Sequence, residues 1–217
     1  VSTKNGQLGW VEFNPSKIVN ENGELVGITR SVEVFIDILK EIRGLFKISA
    51  DLHEFAIHRL DLTVDFAPVA DMQYLLDMAA KSSPFRAVGP SIRQHPVSGE
   101  KESVTHSTRT TSCVIYYDKS RKEKFKIPTF RLEVQSKRDD LREMGLDSIA
   151  GICEDKARKA FYKRARSFID ICNQTPKTRI DEILSSKEDR NTLIYSAGYK
   201  FVEQNGRKVA KIGRALN

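Results

Sequence analysis

Three stretches of the chain alternate apolar and polar residues, and this period of two constrains the fold more than any other feature. The alternation covers residues 57–66, 113–119 and 130–135. In a β-strand, residues i and i+2 point to the same side, so each stretch predicts a strand with one apolar and one polar side. If the three strands share a sheet, then Tyr117, Lys119, Asp61 and Glu133 stand on a single polar face.

Helical periodicity separates these strands. Apolar residues recur every three to four positions over residues 31–44, 71–81 and 146–172, which predicts three amphipathic helices. The order strand, helix, strand, helix, three strands, helices is typical of an α+β fold, with a central, mostly antiparallel sheet and helices packed on one face. We expect one domain over residues 1–172. Residues 173–217 are predicted to form a short helix and a terminal hairpin, an appendage of unknown role.

The charge and the cysteines of the chain narrow its class. The 217 residues carry a formal net charge of +7, which favours a polyanionic partner, most commonly nucleic acid; a merely soluble basic protein is the alternative. Three widely spaced cysteines without a CxxC pair indicate a reducing compartment and argue against a disulfide framework or a zinc site. Because no apolar run is long enough to span a bilayer and no signal peptide opens the chain, we expect no membrane partner and a cytoplasmic location.

A tyrosine on a basic face that also carries carboxylates predicts phosphoryl transfer to a phenolic oxygen. A phenol has an ordinary pKa of about 10, so Tyr117 needs help to ionise, and Lys119 is the candidate source of positive charge. Mg²⁺ and Mn²⁺ prefer carboxylate oxygens, and the candidate ligands are Asp61, Glu133 and Glu12. The predicted catalytic pair is therefore Tyr117 and Lys119, beside a divalent metal.

Basic side chains around these strands are the candidate DNA contacts. They are Arg59, Arg131, Arg109, Lys122, Lys124, Arg158 and Lys163. His106 is a weak candidate for a DNA or metal contact. A second interpretation stays open, in which Tyr117 is an ordinary half-buried strand tyrosine. In that interpretation the arginines and carboxylates of the polar face are cross-strand ion pairs.

Five motifs carry a resemblance to a known family. They are VEFNPSKIV at residues 11–19, HRLD at 58–61, VIYYDK at 114–119, FRLEVQSK at 130–137 and LREMGL at 141–146. In this order they resemble the replication initiators of filamentous bacteriophages, the gene II/gene X family. That family's nicking tyrosine stands two residues before a lysine, which implies Tyr117 and not Tyr116 as the nucleophile. The resemblance also implies a sheet like that of rolling-circle Rep nucleases and relaxases, here without their His-hydrophobic-His metal motif.

The resemblance implies that residues 1–172 form the DNA-nicking domain of a rolling-circle replication initiator. Family members nick one strand of supercoiled double-stranded DNA with Mg²⁺, stay attached through a 5′ phosphotyrosine, leave a 3′-OH for synthesis and later rejoin the displaced strand. The implied partners are the origin, single-stranded DNA, and a host helicase and polymerase. The alternatives are a non-catalytic DNA-binding replication regulator and, with less support, an RNA-binding module. Neither the origin sequence nor the oligomeric state follows from the sequence.

Overall fold

The computed structural model describes residues 2–4, 7–10, 14, 27–46, 51, 55–85, 89–108, 112–124 and 126–175. Its elements in chain order are β1 Ser2–Lys4, β2 Gln7–Trp10, α1 Ile28–Phe46, β3 Arg59–Phe66, α2 Met72–Lys81, β4 Ser91–Gln94, β5 Lys101–Ser107, β6 Cys113–Asp118, α3 Lys119–Glu123, β7 Phe130–Lys137, α4 Arg138–Glu143, a 3-10 turn Ile149–Gly151, and α5 Glu154–Gln174. Glu12, Arg109 and the predicted appendage beyond residue 175 lie outside the described residues, so the division at residue 172 stays a prediction. Contacts divide the chain into two compact units, one within residues 1–60 and 137–159 and the other within residues 61–136 and 160–217.

The second unit contains a five-stranded antiparallel sheet with the strand order β3-β7-β6-β5-β4. The central pair is in continuous register from Cys113 opposite Gln135 to Asp118 opposite Phe130, and β5 pairs with the other edge of β6. Helices pack against this sheet, so the predicted α+β class is confirmed. The two strands that carry Tyr117 and Glu133 are therefore direct neighbours, which alternation along each strand does not by itself decide.

The apolar sides of the strands form one core with helices α2 and α5. Leu75, Leu76 and Phe168, from the two helices, are at most 2% exposed. The Phe168 ring centroid lies 5.0 Å from that of Tyr116 and 5.8 Å from that of Phe130. Aromatic pairs at these separations add to the free energy gained by burial alone. None of the helices in the described part of the chain is both long enough and apolar enough to cross a membrane.

The first unit has a smaller core around helix α1. Leu39 on that helix is buried with Ile149 of the 3-10 turn. The Ile57 N–H donates to the Asp147 carbonyl at 2.8 Å, and Ala56 forms an isolated antiparallel bridge with Ser148. The single helix predicted over residues 146–172 is wrong at its start, since α5 begins at Glu154. Gly145 adopts a positive φ of 63° and the Ser148 hydroxyl accepts from the Gly151 N–H, so the chain turns before the helix can start.

His106 lies in the core of the second unit and not on the polar face of the sheet. Its side chain is 1% exposed, and its Nε2 lies 2.9 Å from the Ala79 carbonyl oxygen at the end of α2. Because a carbonyl only accepts, Nε2 carries a hydrogen and donates it, which the neutral ring can do. Burial therefore excludes a contact between His106 and DNA, and within the described residues His106 belongs to no group of three or more side chains that could hold a metal ion. Burial lowers the pKa of His106, because a charged ring would lose its hydration.

The depressed pKa of His106 predicts acid sensitivity. Below the ordinary histidine value of 6.5 the unfolded chain binds a proton that the folded chain does not, so the free energy of unfolding falls as pH falls toward the folded-state pKa. We expect His106→Gln, which keeps an N–H donor for Ala79, to flatten this dependence in urea titrations between pH 5 and pH 7. His58→Gln is the control, since His58 is exposed. An equal dependence in wild type and His106→Gln would contradict the prediction.

Candidate active site on the polar sheet face

Strand register places Tyr116 and Tyr117 on opposite sides of the sheet. Tyr116 pairs with Leu132 and is 0% exposed within the core, whereas Tyr117 pairs with Arg131. Tyr117 is 7% exposed, yet it does not belong to the hydrophobic cluster beneath the helices. Its ring lies among polar and charged side chains. Of two adjacent tyrosines, only Tyr117 is available to chemistry on the polar face.

The Tyr117 hydroxyl is hydrogen-bonded to Glu133. Tyr117 Oη donates to Glu133 Oε2 at 3.3 Å, a contact between diagonal neighbours on adjacent strands. The other oxygen, Glu133 Oε1, accepts from Gln135 Nε2 at 2.6 Å. Lys122 Nζ lies 4.7 Å from the centroid of the Tyr117 ring, within the range of a cation–π contact. The phenol thus has a carboxylate at its oxygen and an ammonium over its ring.

Burial raises the pKa of Tyr117 to about 12. The positive charge of Arg131 acts in the opposite direction, and the negative charge of Glu133 adds to the rise. The phenol is therefore protonated at neutral pH and is a weak nucleophile on its own. Glu133 is placed to accept the phenolic proton when an attacking bond forms, which is the geometry required of a general base.

A second cluster on the same face joins two cations to one carboxylate. Arg131 Nε and Nη2 donate to Asp65 at 2.5 and 2.8 Å, and Lys119 Nζ donates to Asp65 Oδ2 at 2.9 Å. Arg131 and Lys119 are buried, at 8% and 3% exposure. Burial acts to raise the pKa of the Asp65 carboxyl, but the hydrogen bonds and charges of the two cations outweigh it, and the net effect lowers the pKa. Asp65 is consequently a carboxylate in the neutral pH range.

Lys119 reaches this cluster from a helix and not from the strand that the alternation predicts. It is the first residue of α3, where the Asp118 side chain accepts from the Arg121 N–H and caps the helix. Lys124, with a φ of 57°, ends the same helix after only five residues. The lysine is therefore brought to the polar face by a tight turn after β6, and its long side chain spans the distance to Asp65.

The remaining candidates lie elsewhere on the surface. Asp61 and Arg59 are exposed on β3, and Asp61 is four residues, or roughly 13 Å of strand, from Asp65. Lys124, Arg158 and Lys163 are also exposed, with Arg158 in an ion pair with Glu154 of its own helix. Of the residues proposed from sequence, the structure brings together Tyr117, Lys119, Arg131, Glu133 and Lys122.

A divalent metal needs oxygen ligands that are not already neutralised by cations. Asp65 is held by Arg131 and Lys119, and Glu133 is hydrogen-bonded through both oxygens. Within the described ranges no group of three or more His, Cys, Asp or Glu side chains could hold a metal ion. These residues therefore do not by themselves complete a metal site. The set of Asp61, Glu133 and Glu12 stays a prediction, because Glu12 lies outside the described residues.

Two residues of the cluster were absent from the sequence-based candidates, namely Asp65 and Gln135. Both carried a usable signal. Asp65 has the same strand parity as Asp61, and Gln135 the same parity as Glu133, so period-two alternation placed all four on the polar side. To choose Asp65 over Asp61, one must know which position of β3 lies beside Arg131 of β7 and Lys119 of α3. That position depends on the alignment between strands, which is a property of the tertiary structure.

Comparisons of the chain with known proteins provide no related protein whose site could guide the interpretation, so the site is interpreted from its own geometry. The likeness to the filamentous-phage initiators rests on short sequence motifs and stays a prediction. What the structure supplies independently is the arrangement of a phenol, a carboxylate and three cations on one face of the sheet. In those comparisons, no protein-family model, no curated protein and no solved structure matches the chain.

Proposed function

We propose that this protein nicks one strand of DNA with Tyr117 as the nucleophile and rejoins strands by the reverse reaction, as the initiator of rolling-circle replication. The observation that carries the proposal is the Tyr117 hydroxyl donating to Glu133, with Arg131 directly opposite and Lys122 over the ring. A structural tyrosine does not need a base at its hydroxyl and cations around its side chain. A nucleophilic phenol needs both.

The chemical step balances with groups on this face. Tyr117 Oη attacks the scissile phosphorus and its proton passes to Glu133. The bond between phosphorus and the 3′ oxygen breaks, and that oxygen leaves as a hydroxyl with a proton from solvent. The product is a 5′ phosphotyrosine and a free 3′-OH. Because one phosphoester replaces another, the reverse attack by a 3′-OH rejoins the strand without ATP.

The main obstacle to this reaction is the high pKa of the Tyr117 phenol, and the base and the cations lower the barrier that it causes. With a pKa of about 12, only roughly one phenol in 10⁵ is ionised at pH 7 without assistance. Proton transfer to Glu133 during attack removes the need for a preformed phenolate. Negative charge gathers on the phosphate oxygens in the transition state. Fixed donors such as Arg131 and Lys119 stabilise that charge by about 3 kcal/mol each in favourable cases.

The exposed basic residues supply binding that does not depend on sequence. Lys124 at the end of α3 and Lys163 on α5 are exposed, and the chain as a whole has a formal net charge of +7. Contacts of this kind release counterions from DNA, so affinity falls steeply with salt. The resemblance adds a supercoiled origin, Mg²⁺ or Mn²⁺, and a host helicase and polymerase to the proposal.

The proposal is tested by trapping the covalent intermediate. A supercoiled plasmid library with randomised inserts is incubated with the protein and Mg²⁺ or Mn²⁺, then denatured and resolved by electrophoresis. We expect protein linked to a 5′ DNA end, and a 3′-OH that a polymerase extends. Reactions with EDTA test the metal requirement. Salt-sensitive binding without any adduct would refute the nicking proposal and favour the non-catalytic replication regulator.

A further inference from the structure

Asp65 holds Arg131 along one defined edge. Its Oδ1 accepts from Nε at 2.5 Å and its Oδ2 from Nη2 at 2.8 Å. A guanidinium carries five N–H donors in a rigid planar fork, and a carboxylate bound to two of its nitrogens fixes the plane of that fork. The nitrogen that this contact does not use is Nη1. Its two N–H groups therefore have a fixed direction.

The same carboxylate also fixes Lys119. Lys119 Nζ donates to Asp65 Oδ2 at 2.9 Å, and the lysine side chain is 4% exposed. A lysine has four rotatable bonds, so a buried ionic partner is needed to keep its ammonium in one place. One residue of β3 thus orients a cation from β7 and a cation from α3. Arg131 stands opposite Tyr117 in the strand register.

We propose that Asp65 is a positioning residue, which holds Arg131 by its Nε edge so that the Nη1 donors bind a nonbridging oxygen of the phosphodiester that Tyr117 attacks. This inference rests on the proposed nicking function and names the group that the site recognises within DNA. Lys119, oriented by the same carboxylate, supplies a second fixed positive charge. Asp65 itself does not touch the DNA.

Two variants separate the positioning role from a role in folding. Arg131→Lys keeps the charge that Asp65 binds but lacks the planar fork, so it removes the directed donor while the ion pair can persist. Asp65→Asn removes the carboxylate and is expected to lower stability, because two buried cations lose their partner. Arg131→Lys carries the test if Asp65→Asn does not fold. The matched control is Asp77→Asn, which breaks the ion pair of Asp77 with Lys101.

The kinetic measurement is the rate of adduct formation as a function of DNA concentration. We expect Arg131→Lys and Asp65→Asn to lower the rate at saturating DNA by about 100-fold, with an unchanged half-saturating concentration and a folded circular dichroism spectrum. Asp77→Asn should match wild type. In ¹⁵N-arginine-labelled protein without DNA, the Arg131 Nε–H resonance, assigned by its loss in Arg131→Lys, should shift in Asp65→Asn and stay in place in Asp77→Asn.

The possible results are distinct. If wild type forms the adduct and Arg131→Lys reacts at the wild-type rate, the positioning role is refuted and the nicking function stands. An unmoved Arg131 resonance in folded Asp65→Asn refutes it as well, whatever the activity. If wild type forms no adduct with any plasmid of the library, the nicking function is refuted, and the positioning role that depends on it is refuted as well.

Discussion

Replacing Tyr117 with phenylalanine is expected to abolish the covalent protein–DNA adduct, lowering its rate of formation by about 10⁴-fold or more. The substitution removes the oxygen that attacks phosphorus and leaves the ring beneath Lys122. DNA binding should stay close to wild type, because the exposed lysines and arginines are unchanged. The lost hydrogen bond to the Glu133 carboxylate costs about 1–3 kcal/mol of stability, less than the total stability of a typical domain, so the variant should fold.

The matched control for that variant is Tyr116→Phe, which makes the same chemical change one residue earlier. Tyr116 is fully buried in the core, where its hydroxyl accepts from Ser82 Oγ at 3.4 Å. Adduct formation by Tyr116→Phe should remain near the wild-type rate, with a small loss of stability. Both variants are measured by denaturing electrophoresis and by equilibrium DNA binding. An adduct that persists in Tyr117→Phe would assign the nucleophile to a different residue.

Phe168→Ala is expected to cause the largest loss of stability, about 3–5 kcal/mol in the free energy of unfolding. The Phe168 ring is 1% exposed and joins α5 to the sheet through Tyr116 and Phe130. Its removal leaves a cavity between a helix and two central strands, which a rigid sheet fills poorly. Both of those strands carry site residues on their other face, so adduct formation should fall with the folded fraction.

The measurement is urea-induced unfolding followed by circular dichroism. Asn173→Ala is the control, since Asn173 is exposed on the same helix and its replacement should change stability by less than about 0.5 kcal/mol. Alanine has the highest helical propensity of all residues, so neither replacement weakens the helix itself, and a comparable loss in both variants would contradict the assignment to packing. A loss confined to Phe168→Ala would assign the stability to packing.

Alternation of apolar and polar residues was sufficient to sort the side chains of the central strands. It separated Tyr116 from Tyr117, placed Glu133 with Tyr117, and predicted the α+β class that the sheet confirms. This worked because the strand period is two and burial of one face leaves no freedom in that choice. Amphipathic periodicity located α1 and α2 to within a few residues, because burial of one face of a helix fixes a period of 3.6 residues.

Local capping chemistry changed what periodicity predicted in two places. The predicted strand extends through Lys119, but β6 ends one residue earlier because Asp118 caps a helix. The predicted long helix starts at residue 146, but α5 starts later because Gly145 and Ser148 form turns. Both signals are present in the sequence as Asp-Lys-Ser and Gly-Leu-Asp-Ser. At both places local hydrogen bonds decide where the element begins or ends. Hydrophobic periodicity reports only which residues are buried, so it does not detect these hydrogen bonds.

The sequence by itself determined which residues share the polar face, since side-chain parity along a strand is a local property of the backbone. Only the tertiary structure decided which of them touch. Asp61 and Asp65 have the same parity and the same chemistry, but the order and alignment of β3, β7 and β6 bring Asp65 to Arg131 and Lys119. Alignment between strands that are distant in the chain depends on how the whole core packs, and no single stretch of residues encodes it.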